Sequence, residues 1–406
     1  MEKFFKTIKT LGPGLLFAGA AIGVSHLVQS TRAGADYGFG LLWALLLVHL
    51  FKYPFFQYGP RYAAATGESL IDGYKRLGKG FLWLYYILTF ATMFSIQAAV
   101  TIVTAGLAIK LFGLTNSTLI WSGIITAVSS LILLIGRYKL LDNLMKIIVL
   151  VLSISSIIAV IIALNHNTTT VNFTPVFPTG KIGIAFLIAF MGWMPAPLDV
   201  SAWHSLWTLE KAKTNTITPK KAIFDFNIGY LGTIVLGICF ISLGALVMFN
   251  SGETFSNKAG AFSAQLINLF TQNLGKGAYY IIAIAAFTTM FSTTITTLDA
   301  SPRAMAKSTD LLFKNKSKDS YLIWLVLLGI GTLVILGIFI SSMILMVKIA
   351  TIISFLTAPF YAIANYLIIT SKHTPKEFHP SKSLKFLSWL GIVFLIGFSV
   401  FYLISF

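Results

Sequence analysis

The residues in this chain that can do chemistry are few, and they sit inside apolar runs. One group is Ser25 and His26, directly after Gly19 and Gly23 in a stretch that also holds Ala18, Ala20 and Ala21. A second is Met191, Gly192, Trp193, Met194, Pro195, Ala196 and Pro197, with Asp199 just beyond. A carboxylate inside an apolar run, such as Asp199, is a functional-site hypothesis by default. Lys52 follows His49 at a spacing that puts both on one helix face, and its ammonium can serve as a fixed charge or carry a proton. The functional reading has Lys52 and Asp199 facing one polar interior. Trp193, beside the second group, is expected to line a pocket, whereas Trp207 is expected in an interfacial aromatic belt. Cys239 is the single cysteine, which leaves no disulfide framework and no zinc cluster. No phosphate-cradling glycine loop, catalytic triad or metalloprotease motif is present. The chain is therefore not expected to be an enzyme or to carry a cofactor.

The elements that hold these residues follow from composition. Of 406 residues, 56% are hydrophobic and 11% charged, with only 13 Asp and Glu, which is far from a soluble domain. The net charge of +17 does not mark a nucleic-acid binder, because the basic residues are scattered through short loops between apolar runs. About 20 apolar residues cross a bilayer as a helix. Runs of that length predict about eleven transmembrane helices, over 10–31, 38–58, 80–109, 112–135, 147–164, 182–208, 224–249, 277–298, 321–340, 344–370 and 386–406. Placing the N-terminus in the cytoplasm puts 23 of the 30 Lys and Arg on the inside, and the loops 165–181 and 250–276 outside with few. The expected location is a cell membrane, a bacterial inner membrane, in multi-pass form with the C-terminus outside and lipid as surroundings. No cleavable signal peptide and no appended soluble domain are expected.

Gly19 and Gly23 break the first span at mid-membrane depth, and Gly192, Pro195 and Pro197 break the sixth. Irregular backbone at that depth is tolerated where it lines a site inside the protein. Breaks in the first and sixth spans correspond if 10–164 and 182–371 are inverted repeats, with 386–406 as an extra helix of a single domain over 1–406. Such a pairing points to the central site of a transporter.

At these residues the chain resembles the NRAMP family, the natural-resistance-associated macrophage proteins, which are metal-ion transporters of the amino acid-polyamine-cation superfamily. Gly12-Pro13-Gly14-Leu15-Leu16 looks like the family's opening. Arg32-Ala33-Gly34-Ala35-Asp36-Tyr37-Gly38 through Leu41-Leu42-Trp43 resembles the stretch joining its first two helices, and the register runs on through Arg61 to Ala65-Thr66-Gly67. Met194-Pro195 is similar to its sixth-helix Met-Pro, Ser292 to Thr297 to its hydroxyl-rich eighth helix, and Pro359-Phe360 to its tenth. The resemblance implies an all-α integral membrane protein of the LeuT-like five-plus-five inverted-repeat fold, working by alternating access.

The resemblance also shows where this chain departs. The family's Asp-Pro-Gly-Asn, whose Asp and Asn bind the metal, falls on Gly23-Val24-Ser25-His26, and its Met-Pro-His falls on Met194-Pro195-Ala196. A further family ligand, a backbone carbonyl, would come from Met191. The acidic pair of the family's proton pathway falls on Gln97 and Val100. Hard divalent cations want anionic oxygen donors, so His26, Met194 and carbonyls make a poor manganese or iron(II) site. In sodium-coupled members of the superfamily the eighth helix offers hydroxyls to sodium, a role that would fall here to Ser292, Thr293 or Thr296. Two cargoes follow: a small cation, by family, or a small organic solute carried with sodium or protons. A non-transporting sensor on the same fold is the third reading.

Overall fold

The computed structural model describes residues 12–166, 171–249, 255–256, 258–274, 279–314, 319–339 and 342–405, without the side chains of 136–146, 148, 166, 270, 272–274, 281–282 and 339. Helices α1 (Pro13–Ala21), α2 (Thr31–Tyr37), α3 (Leu42–Thr66), α4 (Leu70–Leu77), α5 (Lys79–Phe112), α6 (Thr118–His166) and α7 (Gly180–Trp193) form the first half. Helices α8 (Val200–Ala212), α9 (Pro219–Val247), α10 (Ala259–Leu274), α11 (Tyr279–Phe313), α12 (Ser320–Phe339), α13 (Met343–Thr370) and α14 (Lys382–Ser405) follow. A π-helical turn, Ser25–Ser30, lies between α1 and α2. No strand occurs among the described residues.

Among the described residues six helices are long and apolar enough to cross a membrane, or seven if α1 and the Ser25–Tyr37 segment, bent by 44° at their break, form one span. The protein is thus a multi-pass membrane protein. Other expected spans rest on helices that are shorter, broken or more polar. Helix α3 is one of these, since it carries His49, Lys52, Gln57 and Arg61.

Three expectations are corrected. The stretch between the spans 112–135 and 147–164 is not a loop: helical backbone continues through 137–146, which contains neither Gly nor Pro to end it, so the apolar segments Thr118–Ile135 and Val149–Asn165 both belong to α6. At about 1.5 Å per residue its 49 residues exceed one bilayer crossing. The presumed outside loop 250–276 contains α10, an amphipathic helix too short and polar to register as a span. Trp207 is not in an interfacial belt: it is 1% exposed and packs against Trp203 and His204.

The core surrounds the broken spans. Helix α5 packs along α11, α9 along α1 and α2, α3 along α8, and α13 along α7. Gly192 permits that last contact, since a Cβ there would lie 2.2 Å from the Thr351 carbonyl oxygen. The start of α1 is held by α9, whose Asp225 carboxylate accepts from Gly12 N at 3.2 Å and Gly14 N at 2.8 Å. A carboxylate on the N-terminal N–H groups of a helix also complements its dipole.

Candidate functional site

The geometry of the sixth span starts with its prolines. A proline has no N–H for the carbonyl four residues back, and its ring crowds that carbonyl. Pro195 therefore releases the Met191 carbonyl from the ladder and Pro197 releases that of Trp193, so α7 stops at Trp193 and α8 starts anew at Val200. Lys52, reaching across from α3, takes up the freed oxygens. Its Nζ donates to Met191 O at 2.8 Å, to Gly192 O at 2.7 Å and to Ala196 O at 3.4 Å. Lys52 is 0% exposed. Three ammonium protons thus meet three carbonyls at the C-terminal end of α7, where a positive charge is favoured.

The first break is tied to the sixth by Ser25, whose Oγ lies 2.6 Å from Ala21 O, 2.7 Å from His26 Nδ1 and 3.3 Å from Pro195 O. His26 is fully buried, and its Nε2 lies 2.9 Å from the Thr233 carbonyl of α9. Its Nδ1 lies 2.7 Å from Ser25 Oγ and 3.1 Å from Ala21 O, so both ring nitrogens are spent on the fold. Met194 is also buried, and its sulfur accepts from Ser30 Oγ at 3.9 Å. Among the described contacts none joins His26 to Met194, and no group of three or more His, Cys, Asp or Glu converges to hold a metal ion. His49, one turn before Lys52, has its Nδ1 2.7 Å from Leu45 O, while its Nε2 has no partner among the described residues.

A narrow cleft of about 20 Å³, room for little more than a water, lies where the two breaks meet α5 and α11. Ala20, Ala21, Val24, Ile96, Val100, Ala196, Pro197 and Val200 make most of its wall, and Ser25, Trp193, Trp203, Thr293 and Thr297 add polar atoms. No carboxylate lines it. Trp193 Nε1 is bound to Ser354 Oγ at 2.9 Å, whereas Trp203 Nε1 is buried without a partner among the described residues. Gly23 lies against α11, where a Cβ would meet the Thr293 side chain at 2.8 Å.

Gln97, where the resemblance expects an acid, forms a neutral clamp. Gln97 is buried, its Nε2 donates to Thr101 Oγ1 and Thr294 O at 3.3 Å each, and its Oε1 accepts from Thr297 Oγ1 at 2.6 Å. The α11 hydroxyls are mostly bonded within their helix: Ser292 Oγ donates to Thr289 O at 2.6 Å and Thr296 Oγ1 to Ser292 O at 2.8 Å. Thr293 reaches across instead, to Gly19 O at 3.1 Å.

Asp199 stands at the N-cap position of α8, 4% exposed, and its Oδ1 has no hydrogen-bond partner among the described residues. It acts electrostatically on Lys52, Tyr74, Tyr85 and Tyr361, without forming an ion pair to Lys52 within 4.0 Å. The hydroxyls of Tyr85, Thr89 and Tyr361 are buried near one another, with no partner at full hydrogen-bond geometry among the described residues. Native interiors leave few such groups, and each asks for a water or an ion. Tyr85, Thr89, Tyr361 and Thr233 were not singled out from sequence. Their only signal is a hydroxyl amid apolar neighbours, and nothing local marks which hydroxyls converge.

A model of the natural resistance-associated macrophage protein-like family matches residues 14–405. The chain belongs to that family. It is a secondary transporter by class, within a family of metal-ion transporters, and not an enzyme. It is 37% identical over 401 residues to the uncharacterized protein PM0681 of Pasteurella multocida, covering 97% of this chain and 91% of that protein. Among solved structures it is similar to the Eremococcus coleocola manganese transporter, with a TM-score of 0.74 at 15% identity over 99% of this chain and 87% of that one. It is also similar to MhsT in complex with L-phenylalanine, with a TM-score of 0.66 at 14% identity over 96% of this chain and 98% of that one. The nucleobase-cation-symport-1 transporter MHP1, closed on bromovinylhydantoin, gives 0.62 at 14% identity over 98% and 91%. The LeuT-like fold is thereby established.

Proposed function

We propose that this NRAMP-family chain is an alternating-access secondary transporter whose cargo is a small organic solute, admitted between the two broken spans when the narrow cleft there widens. The supporting observation is Lys52. Its ammonium occupies the Met191 carbonyl that the family resemblance would give to the metal, so a built-in cation stands where a relative would bind a mobile one. The surrounding wall is apolar with a placed donor that the described residues leave unused, Trp203 Nε1–H, as in sites for organic ligands. Solved structures of this fold hold L-phenylalanine and a hydantoin.

Asp199 supplies the coupling. It sits one turn from Trp203 on α8, so a proton or sodium ion taken up beside its free oxygen bears on the same half-helix that lines the cleft. The domain reading is retained: inverted repeats over 10–164 and 182–371, the extra helix 386–406, eleven spans, and a cytoplasmic N-terminus in a bacterial inner membrane. Gln97 and the α11 hydroxyls Ser292, Thr293 and Thr296 serve packing in this reading.

The family's metal-ion cargo is the second reading, favoured by the buried thioether of Met194 at the break. A thermal-shift screen of purified protein separates the two. A ligand that binds the folded state raises its apparent stability. Amino acids and small organic solutes are expected to shift the wild type and not Trp203→Phe; a shift from manganese, cadmium or copper(I) lost in Met194→Ala would install the metal reading instead.

A further inference from the structure

A second cavity, of about 370 Å³ and remote from the breaks, lies between α3, α9 and the start of α14. Its polar lining is Tyr53, Gln57, Arg61, Ser381 and Ser383, and its apolar lining is Ile223, Leu384 and Leu387. Tyr53, Gln57 and Arg61 stand one turn apart on a single face of α3. They form a ladder: Arg61 Nη1 donates to Gln57 Oε1 at 3.2 Å, Gln57 Nε2 to Tyr53 OH at 2.7 Å, and Tyr53 OH to Asn227 Oδ1 at 2.9 Å. The ladder orients the guanidinium and spends the acceptors beneath it.

Arg61 itself is left short of partners. It has five N–H donors, and among the described residues its one hydrogen bond is to Gln57. Its Nε is enclosed without a partner. The arginine ion pairs among the described residues are Arg76 with Glu68 and Arg303 with Asp299, so no carboxylate balances Arg61. Nor does any acid line the cavity. Ser381 caps α14 by accepting Leu384 N at 3.3 Å, which leaves its O–H free to donate. Lys382 and Lys385 extend the same basic edge.

We infer that this cavity binds a phosphate-bearing anion, with the guanidinium of Arg61 and the hydroxyls of Ser381 and Ser383 on the phosphate oxygens. Arg presents a fork of donors that matches phosphate. The source is the headgroup of an anionic membrane lipid. The apolar lining leads on to Phe224 and Phe386, 54% and 67% exposed, which offer acyl chains a path along the outside of α9 and α14. Basic pockets between transmembrane helices are sites of this kind. The inference stands apart from the cargo proposal, since neither cavity shares a residue with the other.

The test is thermal unfolding and native mass spectrometry of delipidated full-length protein with phosphatidylglycerol, with phosphatidylcholine and with inorganic phosphate. Phosphatidylglycerol is expected to stabilise the wild type and to remain bound at least tenfold more tightly than phosphatidylcholine. That preference is expected to vanish in Arg61→Gln and to survive in part in Arg61→Lys, which keeps the charge and controls for folding. Protection by inorganic phosphate equal to that by the lipid, and lost in Arg61→Gln, would uphold the anion site and overturn the lipid source. Absence of a preference for phosphatidylglycerol in the wild type, or the same preference in Arg61→Gln, would overturn the site.

Discussion

Lys52 Nζ and the carbonyl oxygen of Gly192 stand 2.7 Å apart inside the break of the sixth span. The bond joins α3 to the open end of α7 and makes the break a satisfied, low-cost feature of a dry interior. Replacing Lys52 by Met keeps the length of the side chain and removes the donors. Leaving buried carbonyls unpaired costs roughly 1–3 kcal/mol each, so Lys52→Met is expected to lower the apparent Tm in detergent by several degrees. An unchanged Tm would show that the ammonium does not hold the break.

Gly23 and Thr293 are expected to be coupled. A Cβ at position 23 would come within 2.8 Å of both Cγ2 and Oγ1 of Thr293, closer than real contacts allow. Gly23→Ala should therefore destabilise the fold and depress activity, while Gly23→Ala with Thr293→Ala should lose less than the two single changes together. Overpacking of this kind costs about 1–3 kcal/mol. A double-mutant cycle on thermal stability reads the coupling directly, and additivity would mean that the two spans part without strain.

Much of this arrangement was legible in the sequence for physical reasons. Gly19, Gly23, Pro195 and Pro197 break helices wherever they fall, so the two discontinuities could be read from residue type. The charges of Lys52 and Asp199 stood out because charge is costly inside an apolar run. What residue type does not carry is direction. Whether His26 turns toward Met194 or toward the Thr233 carbonyl depends on how α9 packs, 207 residues away in sequence. The convergence of Tyr85, Tyr361 and Asp199 depends in the same way on α5, α13 and α8 meeting. Residues 137–146 misled because their charges suggested a loop, whereas helical backbone continues through them.

Outside the spans, Glu68 gives a pH signature. The hydrogen bond from the Arg76 guanidinium holds its carboxyl below the usual glutamate range. A folded-state value below the unfolded one, near about 4.3, means that the contribution is present above that pH and is lost as pH falls through the folded value. Both side chains are partly exposed, at 31% and 46%, so solvent limits the contribution to under about 1 kcal/mol. Glu68→Gln is expected to be slightly less stable than wild type at pH 7, and the gap should close as the pH is lowered past the glutamate range. A gap that widens in acid would contradict the assigned sign.

Asp199 and Lys348 separate coupling from generic charge loss. Asp199→Asn preserves shape beside Tyr85 and Tyr361 and removes the negative charge, so it is expected to cut coupled uptake at least tenfold. Lys348→Gln on α13, at a half-buried side chain remote from both breaks in sequence and absent from the cleft lining, should leave uptake within about twofold. Equal tolerance of both substitutions in proteoliposome uptake would remove Asp199 from the mechanism.

The most direct test of the account is uptake of radiolabelled manganese into proteoliposomes containing the wild-type protein, under both a sodium and a proton gradient. With the Lys52 ammonium on the carbonyls of Met191, Gly192 and Ala196, no saturable manganese uptake above empty vesicles is predicted under either gradient. Saturable uptake that disappears in Met194→Ala would contradict the account and return the site to a mobile metal ion.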